Sequence, residues 1–172
     1  MKFDIKRITL KNLDEFYEFF KKTVAKEFWE YSKGDLGYIF TKGWSKKTYR
    51  DLLKNKDSFI IAALDNGKIV GILNADKPRL GVCFCSWLVV DKKYQGKGIG
   101  TKLLKEFEKK AYKKNLHMIY LYASIHNVSY YKKVGYKLVG NMKKAWFGQD
   151  YYIFTKLLCA PKEKNYLRKI KL

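Results

Sequence analysis

Acidic side chains are scarce in this chain: 16 Asp and Glu stand against 37 Lys and Arg, a net charge of +21 over 172 residues. Such a balance attracts RNA, ribosomes and anionic membrane surfaces without specificity. The lysines are spread along the whole sequence, so they read as a solvated surface ahead of a dedicated nucleic-acid face. Cysteine is also sparse. Cys83, Cys85 and Cys159 suggest the reduced thiols of a cytoplasmic protein. Cys83 and Cys85 share one face of a strand, but His117 and His126 are the only histidines. The pair therefore reads as small buried side chains, and no metal site is expected. No apolar run reaches the ~18 residues of a membrane span, and MKFDIKRITL is too mixed for a signal peptide's apolar region. No repeat or low-complexity linker interrupts the chain, and 47% of its residues are hydrophobic. One domain over 1–160 is expected, followed by a basic tail over 161–172.

What is present is an alternation of strands and helices. Residues 3–10 alternate as a first strand. Asn12 is placed to cap the next helix, with Glu15 at the capping-box position and Leu13, Phe16, Tyr17, Phe20, Val24 and Phe28 along one face. Ser45 caps a second helix that carries Tyr49, Leu52 and Leu53. Residues 59–64 and 69–73 flank Asp65-Asn66-Gly67-Lys68, a hairpin signal. A strand over 82–90, a helix over 101–114, a strand over 118–123, a short helix over 127–134 and strands over 136–139 and 151–158 complete the order.

The richest segment is WLVVDKKYQGKGIGTKLL, residues 87–104. An apolar strand leads through a basic turn into a loop punctuated by Gly96, Gly98 and Gly100, and the loop opens onto a helix. Backbone N–H groups bared by glycine, together with the positive end of a helix, form a cradle for phosphate. A nucleotide P-loop needs Gly-Lys-Ser/Thr, and here Gly100 precedes Thr101 and Lys102 in the wrong order. The dinucleotide fingerprint fails on its third interval and on the missing acidic ribose partner.

Leu88, Val90, Gln95, Gly98 and Gly100 do fit L-x-V, a short turn, then [QR]-x-x-G-x-[GA]. This resembles motif A of the GNAT superfamily, the Gcn5-related N-acetyltransferases. Downstream, Tyr131, Lys133, Gly135 and Tyr136 fill Y-x-K-x-G-[FY], which resembles the family's motif B. Its Asn, here Asn127, stands four residues before Tyr131 where the family usually has about seven. A helix about one turn shorter would keep both on one face. The resemblance is specific over 82–136 and topological elsewhere. It implies an α/β (α+β) fold: a mixed twisted sheet of about six to seven strands, flanked by about four helices. The parallel strands at 82–90 and 118–123 would splay apart at its centre.

The resemblance further implies transfer of an acetyl group from acetyl-CoA to an amine in a ternary complex. Leu88, Val89 and Val90 would pair with the pantetheine arm. Gln95, Gly96, Lys97, Gly98, Ile99, Gly100 and Thr101 would hold the pyrophosphate, with Gln95 shaping the loop and Asn127 and Tyr131 completing the site. A backbone N–H near Val89 or Val90 would stabilise the oxyanion, and Tyr131 would protonate the departing thiolate. The positive surface would speed the encounter with coenzyme A. No metal is implied. The base is open: the central strands carry no carboxylate, and His126 or a water chain are the candidates. The acceptor is open too, a small-molecule or protein amine facing Phe28, Trp29, Tyr31, Tyr38, Phe40, Trp44, Trp146 and Phe147. Monomer and homodimer both stand. The alternative function is a catalytically weak CoA-binding module of the same fold, or a basic RNA- or ribosome-associated protein.

Overall fold

The computed structural model describes residues 3–55 and 57–162. Seven strands form one sheet in the order β1-β2-β3-β4-β5-β7-β6. They are β1 (Asp4–Arg7), β2 (Phe59–Asp65), β3 (Lys68–Ala75), β4 (Val82–Val90), β5 (Met118–Ala123), β6 (Lys137–Met142) and β7 (Tyr151–Leu157). All neighbours are antiparallel except β4 and β5. The β2–β3 turn has Asn66 and Gly67 at φ +48° and +80°, the left-handed pair that a tight two-residue hairpin demands. Both faces of the sheet are covered. Helix α1 (Leu13–Glu27) and α3 (Lys46–Lys54) lie on one face, where Phe16, Phe20 and Tyr49 pack on Ile60, Ile72 and Trp87. Helix α4 (Ile99–Lys113) and α5 (Val128–Lys133) lie on the other, where Leu103, Leu104 and Phe107 pack on Phe59, Leu73 and Ile119. The apolar spacing of α1 and α4 at intervals of three and four places these side chains on one stripe of each helix.

One irregularity positions everything that follows. Asn74 pairs with Trp87, but Ala75 pairs with Cys85, so Ser86 is an extra residue in β4. Strict alternation would put Cys83, Cys85, Trp87 and Val89 on a single face. Instead Cys83 and Cys85 join the α4 side of the core, while Trp87 and Val89 join the α1 side. The bulge reverses the strand's faces and bends it. The parallel pairing also ends there: Val82–Cys85 match Met118–Leu121, and beyond Cys85 the two strands part. The central splay expected from the resemblance is thus built at Ser86.

Several expectations need adjustment. The first strand stops at Arg7, and a 3-10 turn (Leu10–Asn12) intervenes before α1. Asn12 stands at the N-cap of α1 without capping through its side chain; its Oδ1 instead accepts from Thr9 Oγ1 at 3.0 Å. Ser45 does cap α3, accepting from the Thr48 N–H at 3.1 Å. A fifth helix, α2 (Lys33–Tyr38), adds to the four expected and runs into a π-helical turn (Ile39–Gly43). Its signal was in the sequence: Ser32 accepts from the Asp35 N–H, and Asp35 accepts in return from the Ser32 N–H, the reciprocal capping geometry of S-x-x-[DE]. Of the basic tail, residues 163–172 lie outside the described residues. Among the described residues no helix is long and apolar enough to cross a membrane.

Candidate active site

The fork between β4 and β5 is where two cavities meet. The larger, about 860 Å³, runs over the start of α4; the smaller, about 380 Å³, lies among aromatic rings. Leu88, Asn127 and Tyr131 line both. Of the expected binding residues, Leu88, Val90, Gln95, Gly96, Gly98, Ile99, Gly100, Thr101, Asn127 and Tyr131 line the larger groove. Val89 and Lys97 do not: the Val89 side chain is buried on the α1 side, and the Lys97 ammonium sits 5.0 Å over the Tyr94 ring.

The groove's floor follows from local geometry. The Asp91 N–H donates to the Val70 carbonyl at 3.1 Å, so by strand alternation the Leu88 and Val90 peptide groups face away from β3, on the side that β5 has left. The Gln95 side chain donates to the Val90 carbonyl at 3.0 Å and ties the loop back to the strand. Gly98 is the N-cap of α4 at φ +78°, a conformation that costs an L side chain roughly 1–2 kcal/mol. Gly100 is required for space instead, since a Cβ there would stand 2.7 Å from the Tyr130 hydroxyl. The Lys102 N–H closes the first helical bond, to the Gly98 carbonyl. The amides just before it point out of the helix N-terminus, where the dipole favours an anion. Lys105, Lys133 and Lys156 also line this groove. Lys156 is committed to Glu108 at 2.8 Å and to the Val134 carbonyl at 3.2 Å.

Tyr131 sits where the cavities join. Its ring packs on Phe154 and Tyr136 at 5.5 and 5.8 Å, and burial pushes its phenol well above the ordinary tyrosine range. The phenol therefore keeps its proton at neutral pH. Asn127 is the N-cap residue of α5, four positions earlier, and the shortened spacing still brings the two residues to one place. His126 is turned elsewhere, its ring 5.4 Å from that of Trp29. Cys83 and Cys85 are buried; burial pushes the Cys83 thiol up to about 12 and raises that of Cys85 also.

Sequence reasoning missed the carboxylates near the fork, of which Glu30 lines the smaller cavity and Glu108 the larger, while Asp76 is joined to the smaller through a serine. Ser86, the bulge residue, lines the smaller cavity and donates its Oγ–H to Asp76 Oδ1 at 2.9 Å. Asn74 in turn donates to Ser86 Oγ at 3.0 Å. Burial raises the Asp76 carboxyl above its ordinary value, opposed by the Ser86 hydrogen bond. Asp76 follows the last residue of β3, outside the two central strands in which a base was sought. Pairing across the bulge was the signal needed, and it is not visible in a linear sequence.

Comparison with known proteins agrees with this fold. The acetyltransferase (GNAT) family matches residues 21–136. An uncharacterized N-acetyltransferase of Methanocaldococcus jannaschii is 26% identical over 153 residues, covering 78% of this chain; the match spans 61% of that relative's length. The PaiA N-acetyltransferase of Thermoplasma acidophilum, crystallised with coenzyme A, superimposes with a TM-score of 0.74 at 23% identity, covering 91% of this chain and 99% of that one. The ribosomal-protein-S18-alanine N-acetyltransferase of Escherichia coli gives 0.72 at 16% identity, covering 94% and 97%. At such identities the likeness is one of fold, while the match over 21–136 takes in most of the chain and both motifs: the protein belongs to the GNAT acetyltransferase family.

Proposed function

We propose that this chain is an acetyl-CoA-dependent N-acetyltransferase acting on a primary amine by direct transfer. The observation that carries the reading is the junction of two cavities at Leu88, Asn127 and Tyr131. One cavity runs over the helix N-terminus and its bared amides, and the other is lined largely by aromatic rings. Two reactants entering from the two sides would meet at the fork, and holding them in line supplies much of the rate.

The residues fit coenzyme A. Gly98 and Gly100 bare the amides of the α4 N-terminus for a pyrophosphate, and the Leu88 and Val90 peptide groups, left by β5, offer strand-like pairing to an amide-bearing arm. Bound acetyl-CoA supplies the thioester whose carbonyl carbon the amine attacks. Around that carbon, a backbone N–H of the Leu88–Val90 segment not taken by the arm would stabilise the developing oxyanion, and Tyr131 would donate its proton to the sulfur as the C–S bond breaks. The acceptor arrives as an ammonium and first loses one proton to solvent, which frees its lone pair; Ser86 then accepts the proton that the nitrogen loses as the C–N bond forms, and passes its own to Asp76. Proton exchange with solvent restores Tyr131 and Asp76, leaving an amide and a free thiol.

Calorimetric titration with acetyl-CoA, against ATP and NAD as controls, tests the cofactor. Selective binding of acetyl-CoA that is weakened by a bulky residue at Gly98 is expected. No binding at moderate salt overturns the reading, and RNA binding that falls steeply with salt would then account for the basic surface.

A further inference from the structure

We propose that the acceptor is a small primary monoamine with a flat apolar body, an arylalkylamine, held in the 380 Å³ cavity beside the fork. This rests on the acetyl-transfer reading and names the substrate class of the same site.

Charge is the first argument. The chain carries 37 Lys and Arg, yet among the described residues none lines this cavity, and Glu30 is its one carboxylate. The adjoining groove is lined by three lysines. The protein thus separates an anion-binding side from a side cleared of positive charge. A single ammonium is admitted there, with one carboxylate and several ring faces to meet it. A polyamine would bring further ammonium groups for which the lining offers no additional carboxylate.

The walls are the second. Trp146 packs against Tyr122 at 5.0 Å and against Tyr151 at 5.5 Å, and Phe147 meets Tyr31 edge-on at 5.5 Å. Ring faces attract a cation electrostatically, and an aryl group finds both offset and edge-on partners. An aliphatic polycation uses little of this surface.

Closure is the third. The two sides of the cavity are joined to each other. The Tyr31 and Tyr151 hydroxyls lie 3.0 Å apart, and Gln149 Nε2 donates to the Glu30 carbonyl at 3.2 Å. Phe147, which touches Tyr31, is held at φ +57°, an uncommon conformation for a bulky side chain. An extended acceptor that needed these two sides apart would break the contacts, whereas a compact amine leaves them intact.

The test uses the full chain with acetyl-CoA and four acceptors: 2-phenylethylamine, spermidine, kanamycin and an alanyl peptide. Thiol release and the mass of the N-acetyl product are the readouts. The expected result is a kcat/KM for 2-phenylethylamine at least about tenfold above the other three, with Trp146→Ala raising its KM about tenfold through lost ring contact while acetyl-CoA affinity is unchanged. Equal or better transfer to spermidine, kanamycin or the peptide overturns the proposal and leaves acetyl transfer standing. A parallel titration of 2-phenylethylamine by tryptophan fluorescence separates the remaining outcomes. Saturable binding without transfer to any amine upholds the ligand class and overturns the transfer reading; neither binding nor transfer overturns the ligand class.

Discussion

Replacing Gly100 by Ala isolates a single steric contact. The position lies in the first turn of α4, and the GNAT motif admits either Gly or Ala there. On helix propensity alone, Ala is favoured by ~1 kcal/mol. In this chain the new Cβ would stand 2.7 Å from the Tyr130 hydroxyl, with the ring Cζ next at 3.5 Å. Tyr130 is half-buried and backed by the Tyr131 ring at 5.1 Å, so relief requires a shift of packed aromatics. Overpacking of this kind costs ~1–3 kcal/mol, which exceeds or cancels the propensity gain. The single variant should therefore be level with wild type or up to ~2 kcal/mol less stable, and should bind acetyl-CoA more weakly because Tyr130 lines the groove. Tyr130→Phe removes the colliding oxygen and leaves ordinary contacts of 3.5 Å to the ring and 3.8 Å to Leu88. In that background Gly100→Ala should stabilise by ~1 kcal/mol. Urea unfolding of the four proteins gives the coupling as a double-mutant cycle. Equal effects of Gly100→Ala in the two backgrounds would refute the steric argument.

Two further outcomes test the chemistry. Tyr131→Phe keeps the ring packing on Phe154 and Tyr136; it should leave acetyl-CoA affinity unchanged while lowering kcat by about 100-fold, the usual scale of general acid catalysis, and an unchanged kcat removes the phenol from the mechanism. Asp76→Asn should also lower kcat by about 100-fold, and it should abolish the loss of kcat toward low pH; an unaltered pH profile rules out the Ser86–Asp76 relay. The same substitution has a stability signature. Burial raises the folded carboxyl above its ordinary value, so the carboxyl's contribution is full below the ordinary value and is lost as pH rises through the raised one. Asp76→Asn should therefore gain stability at neutral pH and gain nothing in strong acid, measured by urea unfolding at both.

What was legible in the sequence and what was not divide along a physical line. Local chemistry was readable: β4 and β5 stand at their expected bounds, because alternation and turn residues act over a few positions. Two glycines of the loop after β4 have local structural grounds, Gly98 a backbone conformation and Gly100 a close approach. Asn12 failed as a cap because Thr9 competes for its side chain, and α2 was overlooked although Ser32 and Asp35 announce it. The larger omission was the bulge. Nothing in the residues 82–90 marks Ser86 as extra, because the misfit exists only against β3, twelve positions before. Yet this one residue reverses the faces of β4, coincides with the parting of β5, and links the smaller cavity to Asp76. In the relay proposed above, the base would therefore lie off the central strands: the Asp76 carboxylate would serve the cavity by strand pairing, through a hydroxyl that the strand's own irregularity exposes.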